Sequence, residues 1–117
     1  MKESIIAIKS FHFALEILQL YKALVKRKEF VISKQILRCS TSIGANIEEA
    51  GAAASKKDFI AKMTIASKEA REARYWLRLL HEDRFLEDYN MPVLISEINQ
   101  IISILTKIVK TSQESSN

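Results

Sequence analysis

The residues best placed to do chemistry are the cations between positions 56 and 78. Lys56, Lys57, Lys68, Arg71, Arg74 and Arg78 are scattered in sequence. At 100° per residue on a helix they gather in an arc from about 80° to 200° around the axis from the apolar stripe. Asp58, Glu69 and Glu72 fall on the other flank, with Ile65 and Trp76 among them. One helix then carries a positive side and a negative side. A row of Lys and Arg along a helix suits a polyanionic backbone, because each phosphate contact releases condensed counterions. Lys34 and Arg38, upstream, extend the set, so the residues put forward for nucleic-acid binding are Lys34, Arg38, Lys57, Lys68, Arg71, Arg74 and Arg78. Tyr75 lies among them, where a base could stack or where the ring lies along the surface with its hydroxyl in water.

Three readings of the basic flank stand side by side. It can be a solvated surface partly paired with itself through Lys68–Glu72 and Arg78–Glu82, although the basic-first order is the weaker one on a helix. It can be a ridge for the phosphates of RNA or DNA. It can be a subunit interface, the basic flank of one copy meeting the acidic flank of the next, which closes into a ring or runs on as a filament. Lys62 sits on the acidic side four residues after Asp58 and is read as its ion-pair partner.

Catalysis and metal binding find little support in the sequence. His12 and Glu16 form a single i,i+4 pair, and His81 is remote in sequence. Carboxylate-bridged metal bundles use repeated Glu-x-x-His motifs, and none is present. Cys39 has no CxxC partner and lies on an apolar line, as a small buried hydrophobe does. No nucleophile elbow or glycine-rich phosphate loop accompanies the serines. The chain is read as a non-enzyme with no catalytic residue, metal or cofactor.

The elements that must position the cations are helices. The chain has 117 residues, two glycines and one proline, with 48% hydrophobic and 27% charged residues. That balance suits long helices better than strands and turns, and the length suits one domain over 1–117. In the third helix Phe59, Met63, Ala66, Ala70, Ala73, Leu77 and Leu80 alternate spacings of four and three, the seam of a helix packed on a helix. Ser55 followed by Asp58 is a capping pattern for its start, and it ends near Glu82 to Arg84. The second helix runs from about Val31 to Ala54 along Ile32, Ile36, Cys39, Ile43, Ile47 and Ala50. Ser33, Ser40, Gly44 and Gly51 share one flank, which implies close approach of a neighbouring helix, with a hinge as the alternative reading of the two glycines. Asn46 sits at the edge of that line, where a half-buried amide fixes register.

In the first helix Phe11, Leu15, Leu18 and Val25 make one stripe, with Ala14, Ile17, Tyr21 and Leu24 beside it. Residues 1–9 are either its first turns, capped by Ser4, or an extended arm with Ser10 as the cap. Lys26, Arg27 and Lys28 close it. After a connection over Phe85 to Asn90, Pro92 opens a fourth helix. Its main stripe is Leu94, Ile98, Ile101, Leu105 and Ile108, with Ile95, Ile102 and Val109 alongside. The polar tail 111–117 is expected to fray. Short connections favour an all-α, antiparallel up-down-up-down four-helix bundle. The isoleucines around the fourth helix exceed what a lone bundle needs, so a homo-oligomer is expected.

Charge and cysteine content bound the setting. Eighteen basic against fourteen acidic residues leave +4, a mild excess that permits nucleic acid without demanding it. A lone cysteine rules out an internal disulfide and fits a reducing compartment. Lys9 interrupts the N-terminal apolar run, and no eighteen-residue stretch is both apolar and uncharged. A cytoplasmic protein without membrane span is therefore expected.

Three strings carry a family resemblance: VISKQILR at 31–38, TSIGANIEEA at 41–50 and SKKDFIAKMTIASKEAREARYWLRLL at 55–80. They resemble the bacterial four-helix-bundle family encoded by intervening sequences within 23S ribosomal RNA genes. The likeness extends from Ser10-Phe11 to the Ile-Leu-Thr-Lys-Ile run at 104–108. Its most specific parts are Thr41 to Asn46 followed by Glu48-Glu49-Ala50, and Glu69 to Glu72 leading into Tyr75-Trp76-Leu77. The resemblance implies a bundle assembling as a ring, a pentamer. It also implies likeness to the accessory protein of diversity-generating retroelements, a basic five-fold barrel associated with nucleic acid and a reverse transcriptase. Most members have no assigned activity, and the family label records where some of the genes lie. The leading expectation is a ring-forming bundle binding RNA or DNA through its third helix. The alternative is a structural or adaptor protein whose charged flanks serve assembly and a protein partner.

Overall fold

The computed structural model describes residues 4–115, which form four helices and no strand: α1 (Ile5–Lys26), α2 (Ile32–Gly51), α3 (Lys56–Asp83) and α4 (Met91–Glu114). Each start has a local cause. Ser4 caps α1 by accepting from the Ala7 N–H, so residues 5–9 are helix and not an arm; Met1 to Glu3 lie outside the described residues. Ser55 caps α3 by accepting from the Asp58 N–H, as the motif predicts, and Asn90 caps α4 through the Val93 N–H with Pro92 in the first turn. α2 has no capping side chain at its own N-cap. Instead the Glu29 carboxylate accepts from the N–H groups of Val31, Ile32 and Ser33 at 3.2, 3.1 and 2.7 Å. An anion there also complements the positive end of the helix dipole.

Two helices end on the same motif without a glycine. Lys28 and Arg84 take left-handed φ values of 63° and 57°. The Glu29 N–H then reaches back to the Leu24 carbonyl, and the Phe85 N–H to Leu80, each six residues around the turn. This geometry satisfies the last carbonyls of a helix and usually recruits glycine. The Arg27 guanidinium lies over the Phe85 ring, 5.5 Å from its centroid, and ties the two turns together.

Side-chain contacts fix the helix directions. Arg71 meets Thr106 while Arg74 meets Asn99. Arg38 meets Glu69 and Glu72 while Glu49 meets Lys62. In both seams sequence numbers rise on one helix as they fall on the other, so the neighbours are antiparallel. The helices contact cyclically, α1 with α2, α2 with α3, α3 with α4 and α4 with α1, in a rod 49 Å long and 24 × 21 Å across. This is the four-helix bundle expected.

The core seam of α3 is as read from its spacing, with Met63, Ala66, Ala70, Ala73, Leu77 and Leu80 buried. α2 contributes Ile36, Cys39, Ile43, Ile47 and Ala50, and α4 contributes Leu94, Ile98, Ile101, Ile102 and Leu105. Each fully buried Ile or Leu contributes roughly 1.5–3 kcal/mol relative to exposure. α1 departs from expectation. Its core line is Ile6, Ser10, Phe13, Ile17, Leu20 and Leu24, while Phe11, Leu15 and Leu18 face outward, Phe11 with 68% of its surface exposed. The apolar excess of the bundle therefore lies on α1 rather than around α4, whose isoleucines are all buried or half-buried.

Two further corrections concern small residues and the tail. A side chain at Gly44 would make only an ordinary 3.6 Å contact with Ser10 Oγ, and at Gly51 it would meet nothing within 4 Å. Close approach does not require either glycine; the small flank of α2 is carried by Ser33 and Ser40, both wholly buried. The tail is helical as far as Glu114, and Ser116 and Asn117 lie outside the described residues. The Asn46 amide is held within its own helix, donating to the Ser42 carbonyl and hydroxyl. By length and composition alone α4 could cross a membrane; here its apolar side packs on α3 and α1.

Candidate nucleic-acid interface

The antiparallel seams place the two flanks of α3 against different neighbours. The acidic flank faces α2. There Arg38 donates to Glu69 Oε2 at 3.0 Å and also to Glu72. Glu72 accepts from the Trp76 indole N–H at 3.0 Å. The Trp76 hydrogen bond, with Arg38 behind it, holds the Glu72 carboxyl below its ordinary value, and Glu72 in turn keeps the Arg38 guanidinium more firmly protonated. Further along the same seam Lys62 Nζ lies 3.0 Å from Glu49 Oε1. Its partner is thus the end of α2 and not Asp58, because the α2-facing side of α3 brings Lys62 across the seam.

The basic flank faces α4 and solvent. Arg71 donates to Thr106 Oγ1 at 3.2 Å and Arg74 to Asn99 Oδ1 at 3.1 Å, and Lys56 reaches Ser115 at the far end. All of these partners are neutral. Among the described residues no ion pair involves Lys57, Lys68, Arg71, Arg74 or Arg78. The i,i+4 pairs Lys68–Glu72 and Arg78–Glu82 do not form; Glu72 is engaged instead by Arg38 and Trp76. A guanidinium has five N–H donors, so one contact to Thr106 or Asn99 leaves most of them available. Arg74 and Arg78 line an open groove of about 1130 Å³ between α3 and α4, with His81, Ile95 and Asn99. Glu82 is the one acid on its wall.

The seven candidate residues therefore separate. Lys57, Lys68, Arg71, Arg74 and Arg78 share one flank of α3. Arg38 belongs to the acidic seam, where it neutralises two carboxylates. Lys34 is exposed on α2, one turn before Arg38 and on the same face of that helix. Two cations that the sequence does not single out join the picture: Lys107 and Lys110 are exposed on α4. Lys110 lies one turn beyond Thr106, on the side of α4 that meets Arg71. Pairing α3 with an antiparallel α4 is the signal that finds it. Tyr75 is half-exposed and packs edge-on against Trp76, with ring centroids 5.2 Å apart.

Cys39 is wholly buried, its thiol directed at the Ile36 carbonyl, and burial pushes its pKa up to about 12. A thiol so placed is inert at neutral pH.

Comparison with known proteins bears on the fold and the lineage. The family model described as 23S rRNA-intervening sequence protein matches residues 2–107. A crystal structure of a protein of unknown function from Bacteroides thetaiotaomicron, assigned to the S23 ribosomal protein family, is 47% identical in sequence. It covers 91% of this chain and 99% of its own, with a TM-score of 0.87. No curated protein sequence matches.

Proposed function

Because the chain belongs to the 23S rRNA-intervening sequence protein family, we propose that it is a non-enzymatic, ring-forming cytoplasmic bundle that binds the backbone of RNA or DNA through α3. One observation carries this reading. The basic flank of α3 has only neutral partners, whereas on the acidic flank Glu69 and Glu72 are neutralised within the chain by Arg38, and Lys62 on the same side is taken up by Glu49 of α2. An acidic flank already paired to α2 is a poor partner for the basic flank of another copy, which weighs against charge-driven assembly. From Lys56 to Arg78 the cations span about 33 Å at 1.5 Å per residue, roughly one turn of duplex.

Ring formation draws its support from a different surface. Ile8, Phe11, Leu15 and Leu18 form an exposed apolar stripe on α1, of the kind that marks a protein interface. The same stripe favours a second reading, an adaptor that assembles and binds a protein partner without nucleic acid.

Filter binding of labelled RNA and DNA duplexes across a salt series tests the proposal. Log affinity is expected to fall linearly with log salt. Arg71→Glu combined with Arg78→Glu is expected to weaken binding by well over about tenfold with an unchanged circular-dichroism spectrum. Affinity indifferent to ionic strength counts against a phosphate ridge. A wild type that binds no oligonucleotide, and a double variant that breaks the assembly in sedimentation, support the adaptor.

A further inference from the structure

On the opposite side of the bundle α1 and α4 bring together three potential metal ligands. His12 Nε2 lies 3.3 Å from Glu16 Oε1, one turn along α1. Glu97 of α4 faces the pair, and one ligand atom from each of the three residues lies within 4.8 Å of the others. A cavity of about 350 Å³ opens beside them, lined by His12 and Glu97 together with Ile8, Lys9, Gln100 and Ile101. Glu16 Oε1 is closed off from solvent and accepts no hydrogen bond; the His12 ring is near enough for an ion pair but not aligned as a donor. A buried carboxylate oxygen without a donor is costly, and the neighbouring Glu97 relieves it only when its own carboxyl carries the proton that the two then share.

We propose that His12, Glu16 and Glu97 bind a borderline divalent cation of the zinc type and so pin α1 to α4. An imidazole with two carboxylates suits zinc better than magnesium or calcium, which take oxygen ligands. Ligand atoms around such an ion at about 2.1 Å sit about 3–3.5 Å from one another. The His12–Glu16 distance of 3.3 Å already matches that spacing, and the remaining separations, all within 4.8 Å, need side-chain adjustments of about an ångström or so to match it. The cavity leaves room for water to complete the coordination. The other charged group nearby, Lys9, has its ammonium on Gln100 Oε1 at 3.0 Å, one turn along α4 from Glu97. Tyr89 borders the cluster, its phenol kept protonated by burial and by Glu16. Burial first, then a side-chain hydrogen bond to Glu16 and its charge, raise the Glu97 pKa to about 7. The α1–α4 seam is the thinnest in the bundle, so an ion there would clamp its weakest join.

Titration calorimetry of the chelator-treated full chain with Zn²⁺ alone tests this. One equivalent per chain and a raised thermal midpoint are expected. His12→Ala and Glu97→Gln are each expected to weaken binding by at least about tenfold, since even outer-shell partners are worth that much at metal sites. His81→Ala and Cys39→Ser are expected to bind like wild type. Cobalt substitution is expected to give a visible ligand-field spectrum that His12→Ala abolishes. Should Glu97→Gln fail to fold, His12→Ala decides, because that ring is exposed. Absence of binding to the wild type overturns the proposal, as does wild-type affinity in His12→Ala. Neither measurement involves nucleic acid, so the outcome is independent of the reading of α3.

Discussion

The two flanks of α3 carry charge of opposite sign and have opposite fates. On one, Glu69 and Glu72 meet Arg38, and Glu49 of the neighbouring helix meets Lys62. On the other, Arg71 and Arg74 meet only a hydroxyl and an amide. The difference arises from which neighbour each flank faces. α2 presents a cation and a carboxylate at the right heights; the matching edge of α4 presents Thr106, Asn99 and Lys110. A flank matched within the fold stabilises the fold, and a flank whose cations form no ion pair keeps its field for something outside it. The lesson is that charge on a helix cannot be assigned to a role until the edge opposite it is known.

Reversing the unmatched side is expected to have the largest effect. Arg71→Glu with Arg78→Glu should lower affinity for a duplex by well over about tenfold at moderate salt. It should also reduce the salt slope by about two, one for each phosphate that is no longer neutralised. Stability should move by no more than about 0.5 kcal/mol, as for surface substitutions generally. Filter binding and thermal denaturation read the two quantities separately. Removing the cation of the matched side should do the reverse. Arg38→Ala leaves Glu69 and Glu72 facing each other and is expected to cost about 1 kcal/mol in urea unfolding, with little change in affinity for nucleic acid. If Arg38→Ala weakens binding as much as the α3 reversal, the two flanks are not functionally distinct.

The contrast is half legible in the sequence. The heptad of α3 is unbroken, so the angular positions of its charges follow directly from it. The partners across each seam do not, because they depend on heights along two helices that no single-helix projection contains. Lys62 illustrates this: Asp58 is four residues away on the same helix, yet Glu49 across the seam holds it. α1 defeats the sequence reading for another reason. Ile6, Ser10, Phe13, Ile17, Leu20 and Leu24 keep the same alternation of four and three as α3. The polar Ser10 interrupts the line, and the outward stripe of Ile8, Phe11, Leu15 and Leu18 is equally apolar. With apolar residues all round a helix, periodicity does not say which side is the core. The cluster of His12, Glu16 and Glu97 is similarly hidden. Two of its members lie on one helix, but the third arrives only through the α1–α4 seam.

A smaller effect distinguishes the matched flank by pH. In the folded chain Glu72 is held below its ordinary carboxyl value, first by the Trp76 hydrogen bond and then by Arg38. Between that lowered value and the ordinary one the unfolded chain binds more protons than the folded chain. Stability from Glu72 is therefore complete at neutral pH and lost as pH falls through the lowered value. Glu72→Gln cannot titrate. Wild type is expected to exceed it in stability by about 0.5 kcal/mol at pH 7, and the gap should close in acid. A gap that persists at low pH would assign the effect to packing of Trp76 instead of charge.

The smallest expected effect belongs to Lys34, and it tests the geometry most finely. Lys34 is exposed on α2, one turn from Arg38, and the acidic flank of α3 with Glu69 and Glu72 lies between that edge and the cations of α3. A single phosphate backbone lying along the basic flank has no reason to cross the acidic one. Lys34→Glu is therefore expected to change duplex affinity by less than about twofold, the share of a charge felt only through a screened field. Assembly alters the expectation in a readable way. If copies join through the α1 stripe, Lys34 of one copy can come to border α3 of another, and its contribution should then grow with protein concentration as the assembly forms. A loss of affinity that is the same in dilute and concentrated protein would instead place Lys34 on the same surface as Arg71 within one chain, and the division between the two flanks of α3 would have to be redrawn.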